Sequence, residues 1–369
     1  MKKHVTNMQK VIRLYSLLLV STVLFCALET KAQTACTQTL RQARTVFDEG
    51  RIHELEQLLS DCIDNGFTDD ERTEAYRLLI LAHIYLDETE KADDAMLELL
   101  RDNHGFEINQ QADPAELINL YNTFRHDPIF FWGFRGGFNT SFVNVIEAHG
   151  VHNLNNSNAT YSNQLGFVVG LLIEKRFGKR ITLRSDLQYI INTFDHSYSM
   201  FSRTDTGVDI VNSTVSETQN SAGMSLMGQF RLFPEKEAIK KNKFEKLNPY
   251  VGLGVTGRYI LSSALTFDVS NSAGASPDGA SEDLIDAEIR KSFNPTADVE
   301  FGIKKAIGLT YLTAGVRYSY GFLDITDRHY DNGRLTTFFG WGANDINTHS
   351  LTAFIGVLIP QYVPKKLTK

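Results

Sequence analysis

From about residue 128 to residue 364 the chain repeats runs of roughly ten to fifteen residues in which apolar and polar positions alternate. In residues 292–307 the odd positions include Phe293, Ala297, Val299, Phe301 and Ile303. The even positions carry Asn294, Thr296, Asp298, Glu300 and Lys304. Successive side chains of a strand point to opposite faces, so this run has one apolar face and one charged face. Eight such runs occur, at 129–143, 164–177, 181–194, 221–233, 249–267, 292–307, 309–325 and 348–363. The links alternate in length. Those at 178–180 and 307–309 are tight, whereas 144–163, 195–220, 268–291 and 326–347 are long and rich in Asn, Ser, Asp and Gly. The other short-side link, 234–248, is a charged extension.

An even strand number with short turns on one rim and long loops on the other is the habit of outer-membrane barrels, whose short rim faces the periplasm. Aromatic residues collect near the strand ends, among them Trp132, Phe177, Tyr250, Tyr259, Phe267, Tyr318 and Tyr320. They are placed as a girdle at headgroup depth, with the apolar faces turned out to outer-membrane lipid. A soluble lipocalin-like or sandwich fold would use shorter strands with less sustained alternation.

The opposite phase of each run predicts the lining of the lumen. It supplies Arg135, Glu174, Arg184, Asp186, Arg231, Arg258, Asp298, Glu300 and Arg317, with Asn139, Gln188 and Gln229 among them. Five arginines face four carboxylates. An eight-stranded barrel is only wide enough inside for its own side chains. Charges packed there must pair, and arginine's planar fork suits carboxylates. The lining therefore predicts a filled, ion-paired lumen in place of a diffusion pore.

Residues 36–126 switch to helical spacing. One stripe holds Leu40, Ala43, Val46 and Phe47; a second holds Leu55, Leu58 and Leu59. A third runs through Ala75, Leu78, Leu79, Ala82 and Tyr85, and a fourth through Ala92, Ala95, Met96, Leu99 and Leu100. Asp113-Pro114 starts a last helix with Leu117, Leu120 and Tyr121. The stretch 75–100 resembles one tetratricopeptide unit, with small Ala82, aromatic Tyr85, and Ala92 and Ala95 after a turn. Asp93, Asp94, Glu98 and Glu88 read as a solvated face.

At the amino terminus Lys2, Lys3, Lys10 and Arg13 precede an apolar run at 14–28, followed by Thr30-Lys31-Ala32. This is the pattern of a secretory signal peptide over residues 1–32. The chain has 369 residues, is 42% hydrophobic and has mean hydropathy −0.21, which excludes a helical membrane bundle. Its formal charge of −7 falls to about −11 when the five basic residues and one acidic residue of 1–32 are removed. An acidic chain argues against nucleic acid. Cys36 and Cys62 remain after export, a pair that invites a disulfide in an oxidising compartment, with two free thiols as the alternative.

Few motifs point to chemistry. Gly252-Leu253-Gly254-Val255-Thr256-Gly257 fits the dinucleotide fingerprint, but it lies within a strand run with no helix behind it. His196 with Asp195 and Ser197, and His349 with Ser350, are the pairs a surface enzyme would use. His149 and His152 are a weak metal pair. No catalytic, cofactor or metal residue is assigned on these grounds.

The segments Pro249-Tyr250-Val251-Gly252-Leu253-Gly254, Gly315-Val316-Arg317-Tyr318 with Gly321, and Gly133-Phe134-Arg135-Gly136-Gly137-Phe138-Asn139 resemble the outer-membrane β-barrel proteins of Bacteroidetes, the PorT-like group. The Lys31-Ala32-Gln33 cleavage context is similar as well. The chain departs from that pattern by its helical domain and by ending in 365–369 instead of a terminal aromatic. The expected fold is α+β multidomain: signal peptide 1–32, an all-α tetratricopeptide-like periplasmic domain at 33–126, and an eight-stranded antiparallel transmembrane barrel at 127–369. The expected function is a non-enzymatic anchor or adaptor whose residues 33–126 dock a periplasmic or envelope protein. The resemblance implies a role near secretion or envelope machinery. The alternatives are a barrel enzyme acting on lipid or peptide through His196 or His349, and a narrow channel or ligand-binding barrel.

Overall fold

The computed structural model describes residues 35–149, 160–204, 207–233, 247–269, 281–327 and 341–367. The signal segment 1–32, most of the charged link 234–248, His152 and the middles of three long links lie outside the described residues. The described chain divides into two compact units, one formed by 35–127 with 362–367 and the other by 128–361.

The first unit contains α1 (35–48), a short 3₁₀ turn at Ile52–Glu54, α2 (Leu55–Asp64), α3 (Asp69–Tyr85), α4 (Thr89–Asp102) and α5 (Ala115–Tyr121). Helix α3 is its centre because it is apolar on two sides. Ala75, Leu78, Leu79 and Ala82 pack with Leu40, Ala43, Val46, Leu55 and Leu59. Ile80 and Leu81 join Met96, Leu99, Leu100, Leu117 and Tyr121 on the other side. Tyr85, placed on the buried stripe by its spacing, is instead half exposed at the end of the helix.

Thr68 starts α3 with a capping box. Its hydroxyl accepts from the Glu71 amide, and the Glu71 carboxylate accepts from the Thr68 amide at 3.1 Å. Thr37 of α1 donates to the other Glu71 oxygen at 2.7 Å, tying two helices together. These bonds, the Thr37 hydroxyl foremost, hold the Glu71 carboxyl below the usual carboxylate range. The folded unit thus favours the ionised form. Its stabilisation is complete above the ordinary glutamate range and is lost as pH falls through the lowered folded value. Glu71→Gln is expected to cost about 1 kcal/mol near neutral pH and to remove that acid sensitivity. Urea unfolding followed by far-ultraviolet circular dichroism at pH 7 and pH 3.5 checks both.

Cys36 and Cys62 form a disulfide across 26 residues, with Cα atoms 5.6 Å apart. The bridge lies in the same core as Leu40 and Leu59. Closing a loop of this size constrains the unfolded chain by about 3 kcal/mol. Reductant is therefore expected to lower the melting midpoint of the helical unit and to leave the barrel transition in place, which differential scanning calorimetry resolves.

The unit is completed by a two-stranded ladder distant in sequence. β1 (Phe124–Arg125) pairs antiparallel with a strand at Lys365–Lys366. The Arg125 guanidinium donates to the Val363 carbonyl at 2.9 Å, His104 stacks on Tyr362, and Lys366 pairs with Asp93. The carboxy-terminal residues thus belong with the helices. The barrel ends at Gln361, short of the expected 369.

The second unit is one antiparallel sheet. Its strands are β2 (Phe130–Glu147), β3 (Thr160–Asn163), β4 (Leu165–Phe177), β5 (Ile181–Thr204), β6 (Gly207–Arg231), β7 (Leu247–Val269), β8 (Ser281–Asp283), β9 (Thr296–Ile307), β10 (Thr310–Gly321) and β11 (Asp345–Gln361), which leaves Lys365–Lys366 as β12. The eight long strands pair with both neighbours, and β11 closes on β2. The short β3 extends the β4 edge on β5, and β8 pairs with the far end of β7, so two short strands add to the eight long ones in the sheet. Registered partners run from Phe131 through Glu174, Arg184, Met227, Gly254, Asp298, Ser319 and Ser350 back to Ser141. The circuit returns to β2 ten residues from its start, at 141 against 131. With eight strands this stagger fixes a strand tilt of about 40° and an interior that side chains can fill.

The alternation does what the pattern predicts. Phe134, Phe138, Val169, Leu171, Leu187, Leu226, Leu253, Phe301, Val316 and Ile355 are exposed on the outer face. The tight turns use Gly178 and Gly308, both with positive φ. Two expectations change. Residues 195–220, read as a polar loop, continue β5 and β6 as a long hairpin broken only at 205–206. Alternating Ser, Thr and Asn hid its strand character, because one face is polar and the other carries isolated apolar residues. The described parts of the links 268–291 and 326–347 are also not plain loops. Leu284, Ile289, Trp341 and Ala343 are buried with Tyr198, Val215, Leu265 and Phe267 in a core at the long-loop end.

Candidate functional site in the barrel lumen

Strand β5 shows how the interior is layered. From the short-turn end its inward residues are Arg184, Asp186, Gln188, Ile190, Asn192, Phe194, His196 and Tyr198, all buried. The floor is apolar. Phe131, Leu172 and Leu358 pack together against Tyr311, and the Arg176 guanidinium stacks over Phe131 at 4.2 Å. Above them Lys304 Nζ lies 2.5 Å from Glu174 and donates to Gln229 at 2.7 Å.

The central layer gathers three arginines around two carboxylates. Arg184 clasps Glu300 through two bonds of 2.7 and 2.6 Å, and its Nε lies 2.9 Å from Asp186. Arg317 bridges the same pair, with Nε donating to Glu300 at 2.9 Å and Nη2 to Asp186 at 2.9 Å. Arg135 Nη2 lies 2.9 Å from Asp186 and donates to Gln188 at 2.8 Å. Tyr250 adds a hydroxyl donor to Glu300 at 2.8 Å. Strand parity puts Tyr250 inside, so it is not a girdle residue, and Phe267 is likewise buried. Tyr250 fits because its partner on β9 is Gly302, where a Cβ would come within 2.5 Å of the phenol.

Of the nine lining residues predicted from sequence, Arg135, Arg184, Asp186, Glu300 and Arg317 meet in this layer. Glu174 lies below it with Lys304, a lumen cation the predicted lining omits although its even position in β9 marks it. Arg231 sits at the short-turn end, its guanidinium 3.4 Å from the Gly178 carbonyl. Asp298 accepts from Thr296 at 3.0 Å and from Thr256 rather than from an arginine. The Arg258 side chain is buried with no hydrogen-bond or ion-pair partner among the described residues.

Toward the long loops Phe194, Ile325 and Ile346 form an apolar layer. Beyond it Glu217 and Arg290 pair at 3.0 Å, and Arg290 also donates to Thr326 at 2.6 Å. This further ion pair sits beneath the Trp341 core. Sequence reading missed it because Arg290 and Trp341 lie in links with no period.

The candidate enzymatic pairs are split by strand alternation. His196 points inward and stacks on Tyr161 at 4.4 Å. Ser197 contacts Thr214 and Asp195 contacts Ser216 on the other face. His349 faces outward between Tyr318 and Tyr320, while Ser350 is buried inside. Neither histidine meets its neighbouring serine. Among the described residues two groups bring carboxylates and a histidine together. In the first, Lys91 lies 3.0 Å from Glu56 and 3.4 Å from Glu88, and His83 lies 2.8 Å from Glu88. In the second, His149 lies 3.3 Å from Asp345, with Glu147 beside them.

No curated protein matches the chain. Among solved structures it is similar to neisserial surface protein A (13% identity, 63% of this chain and 96% of that one, TM-score 0.29). It is also similar to Ail, the attachment invasion locus protein of Yersinia pestis, in complex with a heparin analogue (13% identity, 62% and 99%, TM-score 0.27). A third is outer membrane protein W of E. coli (16% identity, 64% and 98%, TM-score 0.27). Residues 122–327, more than half of the chain, match the outer membrane protein beta-barrel domain family. A closed antiparallel sheet with an apolar exterior and an ion-paired interior, together with that match, identifies the chain as a member of the outer membrane protein β-barrel family.

Proposed function

We propose that this protein is a non-enzymatic outer-membrane anchor whose barrel is filled and whose helical unit serves as the interaction module in the periplasm. The observation that carries the reading is the lumen itself: among the described residues an apolar floor, ion-paired layers and a further apolar layer are stacked across it. The separation of His196 and His349 from their neighbouring serines speaks against the hydrolase alternative. The chain enters β2 and leaves β11 at the rim of tight turns, the rim that faces the periplasm in barrels of this kind. The α3–α4 pair carries the tetratricopeptide-like stripe, and Tyr85 and Leu86 at its connection are exposed. This exposed apolar connection supports a docking surface for an envelope protein.

Purified full-length protein in planar bilayers is expected to stay at baseline conductance. Photo-crosslinking from positions 85 and 86 of the full chain in living cells is expected to give a discrete protein adduct. Stepwise conductance would favour the channel, and no adduct from either position would remove the adaptor reading.

A further inference from the structure

Between the central ion layer and the apolar layer above it the lumen holds a small cavity of about 10 Å³, room for one small body. Three guanidinium-bearing residues line it, Arg135, Arg258 and Arg317, together with the hydroxyl residues Ser319, Ser350 and Thr352. No carboxylate contributes to the wall. Thr256, Gln188, Val168 and Ile190 complete the lining, so the wall joins donors and positive charge to an apolar side.

Charge counting within the barrel points the same way. Lys304 and Glu174 neutralise each other. Arg135, Arg184 and Arg317 share only Asp186 and Glu300. Arg258 is 3% exposed, and Asp298 spends its two oxygens on Thr256 and Thr296. Even with Asp298 counted, four arginines face three carboxylates in this part of the lumen. Arg258 Nε, Arg135 Nε and Arg317 Nη1 are buried donors with no partner among the described residues. A buried charge left uncompensated costs several kcal/mol, as do unmade donor bonds. A neutral water would accept from two of these donors and leave the excess charge in place. A small anion accepts from several donors at once and cancels it.

We propose that the cavity is a structural site for one monovalent halide-sized anion, chloride under physiological conditions, held by Arg258 from one side and by Arg135 and Arg317 from the other. The anion completes the ion network and locks β7, which carries Arg258, to β2 and β10, which carry the other two arginines. The size of the cavity rejects sulfate and phosphate.

Bromide in place of chloride is the probe. Crystals of the full chain grown in sodium bromide are expected to show a bromine anomalous peak in the lumen, within about 3.5 Å of the Arg258 guanidinium, a normal distance for a charge-assisted bond to a large anion. In detergent, the unfolding midpoint is expected to rise with chloride or bromide against gluconate at constant ionic strength, as for any ligand that binds only the folded state. Arg258→Gln should abolish both the peak and the halide dependence. If that variant fails to fold, the two measurements on the unaltered protein decide alone. A lumen without a bromine peak, a midpoint indifferent to halide, or a peak retained in Arg258→Gln would overturn the proposal.

Discussion

Replacing Glu300 by glutamine is expected to destabilise the barrel by about 3–5 kcal/mol, the penalty for removing one partner of a buried ion pair. Glutamine keeps the volume, so the loss reports charge and not a cavity. Glu300 is fully buried and accepts from Arg184, Arg317 and Tyr250, with Arg135 at 3.6 Å. Without its charge, Asp186 alone faces three guanidinium groups. The exposed Glu288→Gln, in the loop after β8, is the control and should lie within about 0.5 kcal/mol of the parent. Urea midpoints of both variants in the same detergent make the comparison. Equal midpoints would mean that the ion cluster fills space without holding the barrel together.

Leu171→Arg carries the second-largest expected effect, a loss of about 2–4 kcal/mol when the protein is folded in a bilayer. Leu171 is half exposed, sits midway along β4, and pairs with Phe134 and Leu187, both exposed on the same outer face. A charge there must be buried in hydrocarbon. Ser162→Arg on β3, near the long-loop rim, should cost about 1 kcal/mol or less, because the penalty fades toward the interface. Refolding titrations into phosphatidylcholine vesicles measure both. In water an outer-face arginine would be harmless at either position, so a depth-independent result contradicts hydrocarbon contact.

The alternation made most of the barrel legible in advance. Period two depends only on strand geometry, and it placed Phe301 outside and Glu300 inside before any partner was known. The pairing inside could not be read that way. Arg184 and Glu300 are 116 residues apart, and their contact follows from a stagger that no single strand encodes. Arg258 shows the limit most clearly, since its position in β7 marked it as inward but nothing marked it as unpartnered. Lys304 and Tyr250 obey the same parity and were legible. Tyr250 lies near a strand end, where an aromatic suits a girdle, yet its phase turns it inward. The long links were read as polar from their composition, although a few residues such as Leu284, Ile289 and Trp341 build the core there. Such packing has no period and depends on chain segments that meet only after the barrel closes. The ladder of β1 with Lys365–Lys366 is equally non-local, so the lysine-rich tail gave no sign that it would join the helices.

The central claim is that the apolar strand faces lie in hydrocarbon around an ion-paired interior, and the two tryptophans test it without labels. Trp132 is exposed on the outer face of β2, and Trp341 is buried in the loop core. With Trp341→Phe isolating the first and Trp132→Phe the second, fluorescence is measured in vesicles of brominated and unbrominated phosphatidylcholine. The account predicts that brominated lipid quenches Trp132 strongly and leaves Trp341 nearly unchanged. Aqueous iodide quenching Trp132 while brominated lipid does not would contradict it.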